Sequence, residues 1–368
     1  MGASGSGGKR AGEENEGIWR ERMQGGQARR AWATKAATMG CELVQRVRND
    51  RKVRRVVEKA DASPVTVADF GAQAVVSIVM SRQERVNTRM IAEESAKALE
   101  EDRKLAFAVT EATNEVLERH GEAPVSVGDV VEAVHASDGS QSYFGEHQEG
   151  AFWILDPIDG TRGFLHGGRC EYTLGLACVQ DGQLEVGVMA LPNTNRPKSD
   201  AGETGVLMRS MRNGGTQWTE IEANGDSNHV GSEKNWRDTR VDTVDTLSMA
   251  ALCVSDHESA VEWLQARGTS ATLRLCCGSL CKYAAVALGS ATAYLQPPDP
   301  KRMMLKSWDH AAGLLCVQEA GGTVTDLDGH KLEVCSGTWF APSRGGVIVS
   351  NGRIHEQLLR LDAPLHPC

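Results

Sequence analysis

The segment Leu155 to Phe164 reads LDPIDGTRGF and sets Asp156 and Asp159 three residues apart, after the apolar run AFWIL and before Gly160 and Thr161. Two carboxylates at the end of a buried strand lose hydration and repel each other, which is costly unless something cationic sits between them. A hard metal ion is the simplest such partner, because hard cations prefer oxygen ligands. The Gly-Thr pair that follows can open a helix, whose free N–H groups and dipole suit a phosphate. Metal and phosphate on one turn suggest phosphoryl chemistry. Three further segments carry candidate oxygen ligands or acceptors: Glu93-Glu94 in MIAEES, Asp309 in SWDHAAG and Asp61 in KADASPVTVAD. Taken singly, each has an ordinary structural explanation: a solvated acidic pair, a helix cap and a turn before Ser-Pro.

Such residues act only if regular elements hold them in place. Apolar residues at Ala36, Gly40, Leu43, Val44 and Val47 follow a helical period over about 28–47. A basic cluster of Arg46, Arg48, Arg51, Lys52, Arg54 and Arg55 follows, and reads first as a solvated helix end. A second helix is marked by Val67, Phe70, Gly71, Ala74, Val75 and Ile78, with Asp61-Ala-Ser-Pro-Val-Thr before it as turn and cap. Phe152–Leu155 predicts the strand that leads into the aspartates. Tyr172–Val179 and Leu184–Leu191 predict a hairpin around Asp181-Gly182. From about Asn193 to Asp245 the chain turns polar and Gly/Asn-rich, as expected of a surface insertion with one or two short strands near a domain border. Beyond it, strand-like Thr272–Cys276, Ala291–Leu295 and Gly346–Val349 alternate with helix-like Lys282–Leu288 and Trp308–Gln318, the pattern of an α/β domain. No internal repeat or coiled coil is present.

A chain of 368 residues exceeds the usual size of one compact core, so two domains are expected. The expected division is a disordered leader over 1–27, an N-terminal α+β metal-binding domain over 28–245 with its polar insertion at 193–245, and a C-terminal α/β domain over 246–368. A net charge of −9 argues against nucleic acid as the main partner, so an anionic substrate needs local positive charge from metal ions or a few placed Lys and Arg. Ten cysteines without regular spacing read as reduced thiols in a reducing compartment. No apolar stretch is long enough to span a bilayer. A cytoplasmic, monomeric protein is expected, with a homodimer or an organellar location also compatible. Gly2 and Ser6 stand where a myristoylation signal would have them.

In order along the chain, D-x-SPVTVAD, EES, DPIDGT and WDHAAG resemble the inositol monophosphatase-like superfamily of metal-dependent, lithium-sensitive phosphatases. Within it, SPVTVADFGAQAVVS, LDPIDGTRGFLHG and WDHAAG…EAGG look most like the 3′(2′),5′-bisphosphate nucleotidases of plants and fungi. The resemblance implies a five-layered αβαβα sandwich of the inositol monophosphatase/fructose bisphosphatase type. It implies two Mg2+ ions, one on Glu93, Asp156 and the main-chain carbonyl of Ile158, the other on Asp156, Asp159 and Asp309, with room for a third near Glu93. By the same resemblance Asp61 and Thr161 orient the attacking water, and the N–H groups of Gly160 and Thr161 hold the phosphate. Ser279, Lys282 and His257 then contact the rest of the substrate, with Asp309 near the leaving oxygen.

The implied reaction removes the 3′-phosphate of adenosine 3′,5′-bisphosphate or its sulfonated analogue, a step linked to sulfur assimilation. The nucleotide side departs from the family wording. Gly278-Ser279-Leu280-Cys281-Lys282-Tyr283 stands where D-S-Q-A-K-Y is usual, and Gln296 replaces an Arg in Y-L-R. Glutamine cannot supply the charge-assisted phosphate contacts of arginine, although Lys301, Arg302 or Lys306 lie close in sequence. Two alternatives therefore stand beside the nucleotidase: an inositol phosphate phosphatase, and a nucleotide-binding sensor with weak catalysis. Cys276, Cys277 and Cys281 read as core thiols rather than a metal site, and Glu171 has no evident task.

Overall fold

The computed structural model describes residues 7–49, 56–58, 64–84, 89–139, 150–166, 171–193, 204–222, 235–255, 258–269, 273–275, 278–299 and 301–362. The first half of the chain runs through α1 (Gly7–Asn49), β1 (Val56–Glu58), β2 (Pro64–Thr66), α2 (Val67–Glu84), β3 (Met90–Ala92), α3 (Lys97–Glu101), α4 (Arg103–Arg119) and α5 (Val127–Ala136). Then come β4 (Ala151–Asp159), α6 (Thr161–His166), β5 (Thr173–Gln180), β6 (Gln183–Leu191), β7 (Thr204–Met211), β8 (Gly215–Glu222) and β9 (Arg237–Thr239). The second half adds β10 (Leu252–Ser255), α7 (Glu258–Gln265), β11 (Leu273–Leu275), α8 (Leu280–Ala287), β12 (Ala293–Gln296) and β13 (Leu305–Lys306). It ends with α9 (Ala311–Glu319), β14 (Thr323–Asp326), β15 (Trp339–Phe340), β16 (Val347–Ser350) and α10 (His355–Asp362).

Strands β3 to β9 form one sheet in sequence order, parallel only at β3·β4. Strands β11-β10-β12-β16-β14 form the second sheet. Period-2 alternation decides which side chain enters which layer. On β4, Trp153 and Leu155 face a core with α1, α2, α4 and α5, while Phe152 and Ile154 face a core with α8 and α9. On the second sheet, Cys253, Tyr294, Val347 and Val349 meet that same middle core, whereas Leu252, Val254, Leu295 and Ile348 face α7 and α10. Both sheets are thus covered on both faces, which explains why AFWIL is continuously apolar. The stack is α/β/α/β/α, the five-layered sandwich expected.

Close approach of the middle helices to the first sheet depends on glycine. A Cβ at Gly175 on β5 would meet Leu280 at 2.2 Å, and one at Gly313 on α9 would meet the Tyr283 ring at 2.5 Å. The hairpin at Asp181-Gly182 forms as expected, with both residues at positive φ between β5 and β6. Helix α1 extends back to Gly7, through most of the stretch expected to be a leader. The polar stretch from Asn193 supplies β7, β8 and β9, two of them eight residues long, because Val206, Leu207 and Met208 are buried in the sheet. The six described free cysteines are 41, 178, 253, 281, 316 and 335; all but Cys335 are buried. Among the described residues no helix is long and apolar enough to cross a membrane. Gly2 lies outside the described residues.

Candidate metal and phosphate site

In a regular strand, residues i and i+3 point to opposite faces. The backbone at the end of β4 breaks that rule. Asp156 pairs with Gly175 and Asp159 with Thr173, so Pro157 and Ile158 together oppose Leu174. This is a β-bulge, a place where proline is tolerated within a strand. It turns Asp156 and Asp159 toward the same side, and Asp309 joins them from the turn before α9. One carboxylate oxygen from each of the three lies within 4.8 Å of the others. Asp156 and Asp159 are buried, and Asp309 is 19% exposed.

Glu93 follows β3 directly. The parallel register pairs Ala92 with Leu155, so Glu93 leaves β3 at the level where the aspartate turn begins, though it is not one of the three carboxylates within 4.8 Å of one another. Its charge is felt by both Asp159 and Asp309. Burial lifts the Asp159 carboxyl above the ordinary carboxylate range; the Leu280 amide, 2.5 Å from Oδ2, and the Lys282 ammonium act in the opposite sense, and Glu93 adds to the rise. Burial lifts Asp309 as well, reinforced by Asp159 and Glu93 and opposed by Arg302, whose Nη2 is 3.9 Å from Asp309 Oδ2. A set of oxygen donors held above its normal pKa by desolvation and mutual repulsion is what a hard divalent cation relieves. The residues fit such an ion.

Gly160, at φ 91°, turns the chain from β4 into α6 and places Thr161 at its first position. The Thr161 hydroxyl lies 3.3 Å from Asp69 Oδ1 and 3.1 Å from the Ile158 carbonyl. Among the described residues its carboxylate partner is Asp69; Asp61, the partner expected from the sequence, lies outside the described residues. Asp69 sits in the first turn of α2, where Oδ2 accepts from the Thr66 amide at 2.8 Å and the Thr66 hydroxyl at 2.6 Å. One oxygen closes the helix N-terminus and the other reaches the site. The cap hides the second task, since Thr-x-x-Asp before an apolar helix reads simply as a capping motif. The signal that could have found it is burial: Asp69 is 1% exposed, whereas a cap at a solvated helix end is not buried.

The substrate end is partly described. Gly278, at φ 69°, lies against Asp159, where an added Cβ would come within 2.7 Å of Oδ2. A side chain at this position, usual in the family wording, would displace that carboxylate. The Ser279 amide faces Asp159 and its side chain meets the Tyr294 hydroxyl. Lys282 is buried, bonds to the Gly278 carbonyl and lies over the Tyr294 ring at 5.7 Å. Gln296 accepts from the Tyr294 hydroxyl at 3.0 Å. Lys306 sits over Trp308 and Trp339, and Arg302 is the candidate compensating cation that reaches Asp309. Glu171 exerts its charge on Cys253 and Cys281. Burial pushes both thiols up, so they stay protonated. His257 lies outside the described residues.

The inositol monophosphatase family model matches residues 27–363. An Arabidopsis thaliana protein that carries the name of a mitochondrial 3′(2′),5′-bisphosphate nucleotidase is 36% identical over 329 residues, 85% of this chain and 80% of its own. The 3′(2′),5′-bisphosphate nucleotidase of Emericella nidulans is 32% identical over 337 residues, 86% of this chain and 92% of its own. Among solved structures, a Thermotoga maritima IMPase aligns with a TM-score of 0.58 at 18% identity, covering 90% of this chain and 94% of that one. That likeness concerns the fold.

Proposed function

As the chain belongs to the inositol monophosphatase family, we propose that it is a Mg2+-dependent phosphatase that converts adenosine 3′,5′-bisphosphate to AMP and removes the 3′-phosphate of the sulfonated analogue. The observation that carries this reading is the convergence of Asp156, Asp159 and Asp309 at the end of β4 and the start of α9. Relatives named 3′(2′),5′-bisphosphate nucleotidase support the substrate. Two Mg2+ ions would be held by Asp156, Asp159, Asp309, Glu93 and the Ile158 carbonyl. When bound, they neutralise charge on the transferring phosphoryl group and promote the nucleophile.

The chain's own groups do the remaining work. Asp69 accepts a hydrogen bond from the single hydroxyl proton of Thr161, which turns a Thr161 lone pair toward the attacking water as its hydrogen-bond acceptor. Asp69 is itself immobilised by two bonds from Thr66, so this pair is oriented before substrate arrives. The Gly160 and Thr161 amides, at the strand-to-helix turn, face the phosphoryl oxygens. Ser279 and Lys282 hold the non-reacting phosphate, and His257 contacts the nucleoside.

The departures at Gly278, Leu280 and Gln296 favour a second reading, hydrolysis of an inositol phosphate. Phosphate release from adenosine 3′,5′-bisphosphate and from inositol 1,4-bisphosphate, measured in one preparation at fixed Mg2+, separates the two. The nucleotide is expected to be the better substrate, and Gln296→Arg is expected to lower its KM. Turnover of the inositol phosphate alone would replace the nucleotidase reading.

A further inference from the structure

Gln73 is fully buried on α2, one helical turn after Asp69, but its side-chain amide is not left among apolar neighbours. Instead its Oε1 accepts from the Glu94 amide at 2.9 Å and its Nε2 donates to the Glu94 carbonyl at 2.8 Å. This closed pair is the exchange that two opposed strand residues make, here supplied by a side chain. Nε2 also lies 3.0 Å from Ser137 Oγ, which bonds back to the Ala133 carbonyl of α5 at 2.8 Å. On the other side of Glu93, Ala92 donates to the Ser137 carbonyl at 2.8 Å and accepts from Gly139 at 2.9 Å. Glu93 is therefore the one residue between two clamped neighbours, and its charge acts on Asp159 and Asp309.

We propose that Gln73 is a positioning residue for the metal centre: through its amide, α2 fixes the loop that aims Glu93 at the ion. Asp69 and Gln73 are separated by four residues and lie on the same face of α2. One rigid helix thereby sets the spacing between the Thr161–Asp69 pair and the Glu93 ligand. The inference rests on the reading of this site as a metal centre. Groups that orient ligands from behind are typically worth a 10- to 100-fold change in metal affinity.

The test is Mg2+ binding to the full chain without substrate, followed by titration calorimetry alongside thermal melts. Gln73→Leu and Gln73→Glu are expected to weaken Mg2+ binding about 10-fold or more. Ser137→Ala removes one partner of Gln73 but leaves both bonds to Glu94. It is expected to lower Tm while Mg2+ affinity stays within about twofold of wild type, well short of the effect of losing an orienting group. If Gln73→Leu fails to fold, Gln73→Glu decides, because it keeps the acceptor for the Glu94 amide and loses the donor to the Glu94 carbonyl. Gln73 variants that melt earlier but bind Mg2+ like wild type would overturn the proposal and leave the metal reading intact. A wild-type chain that binds no Mg2+ would overturn both.

Discussion

Replacing Asp69 by Asn should separate the two tasks of this carboxylate. Its Oδ2 takes bonds from the Thr66 amide and hydroxyl, and its Oδ1 faces Thr161 Oγ1 at 3.3 Å. Asp69 is the third helical residue, where the side-chain oxygen of Asn can still accept from the Thr66 amide, so Asp69→Asn should cost under about 1 kcal/mol in capping, whereas Asp69→Ala, which loses both bonds, should cost about 1–2 kcal/mol. At Thr161 the change is larger in kind. An amide NH2 placed opposite Oγ1 donates where the carboxylate accepted, and the single hydroxyl proton turns to the Ile158 carbonyl 3.1 Å away. The hydroxyl is then no longer held with its proton toward residue 69, and the orientation in which it would accept from water is lost. Positioned proton acceptors contribute about 10²–10⁴ in rate, or roughly 3–5 kcal/mol of barrier. The assay is kcat at saturating Mg2+ together with Tm. Asp69→Asn should melt close to wild type and lose about 100-fold or more in kcat, and Asp69→Ala should lose both. An Asp69→Asn enzyme that keeps wild-type kcat would refute the reasoning, and a matching loss in Asp61→Asn would return the role to Asp61.

Other outcomes follow from the same geometry. Gly278→Ala places a Cβ 2.7 Å from Asp159 Oδ2 at a positive φ; it should lower stability by about 1–2 kcal/mol from the backbone alone and raise the Mg2+ concentration needed for half-maximal turnover, and an unchanged Mg2+ requirement would contradict it. Without metal, the raised carboxyls of Asp159 and Asp309 make the folded chain bind protons that the unfolded chain has released, so stability is present in acid and is lost as pH climbs above about 4. Mg2+ should flatten that slope and raise Tm; superimposable melts in EDTA and in Mg2+ would sink the claim. His355, buried between Thr325 and Ser350, has its pKa lowered by burial. Its contribution is full above about 6.5 and is lost as pH falls through the lowered value, so His355→Gln should show a shallower acid limb in Tm against pH.

Much of the architecture is written in local pattern. The buried run before Asp156, the Asp181-Gly182 turn and the helical period of α2 each follow from sterics and face-by-face burial within a few residues. The same logic was available for β7 and β8: they flank Arg212-Asn213-Gly214, with Asn213 at φ 58°, and an Asn-Gly step is a strong hairpin signal. Polar composition around it outweighed that signal, because β7 buries the polar Arg209 and Ser210 along with its apolar residues and β8 is only partly buried. At the site, Asp156 and Asp159 stood out in the sequence because two carboxylates at the end of a buried strand are costly without a cationic partner. The bulge that makes them converge did not, since it depends on pairing with β5. Asp69 was hidden because its local role as a cap is sufficient to explain it; its second role exists only once α2 packs beside α6.

If Asp156, Asp159 and Asp309 hold the ions that drive phosphate release, the decisive measurement is phosphate release from adenosine 3′,5′-bisphosphate across a Mg2+ titration, with wild type and Asp309→Asn side by side. Wild type should show saturable activity that vanishes in EDTA. Asp309→Asn should lose about 100-fold or more, as expected when a charge-stabilising group is removed, with added Mg2+ failing to restore it. Phosphate release that persists without divalent ions, or an Asp309→Asn enzyme as active as wild type, would contradict the account.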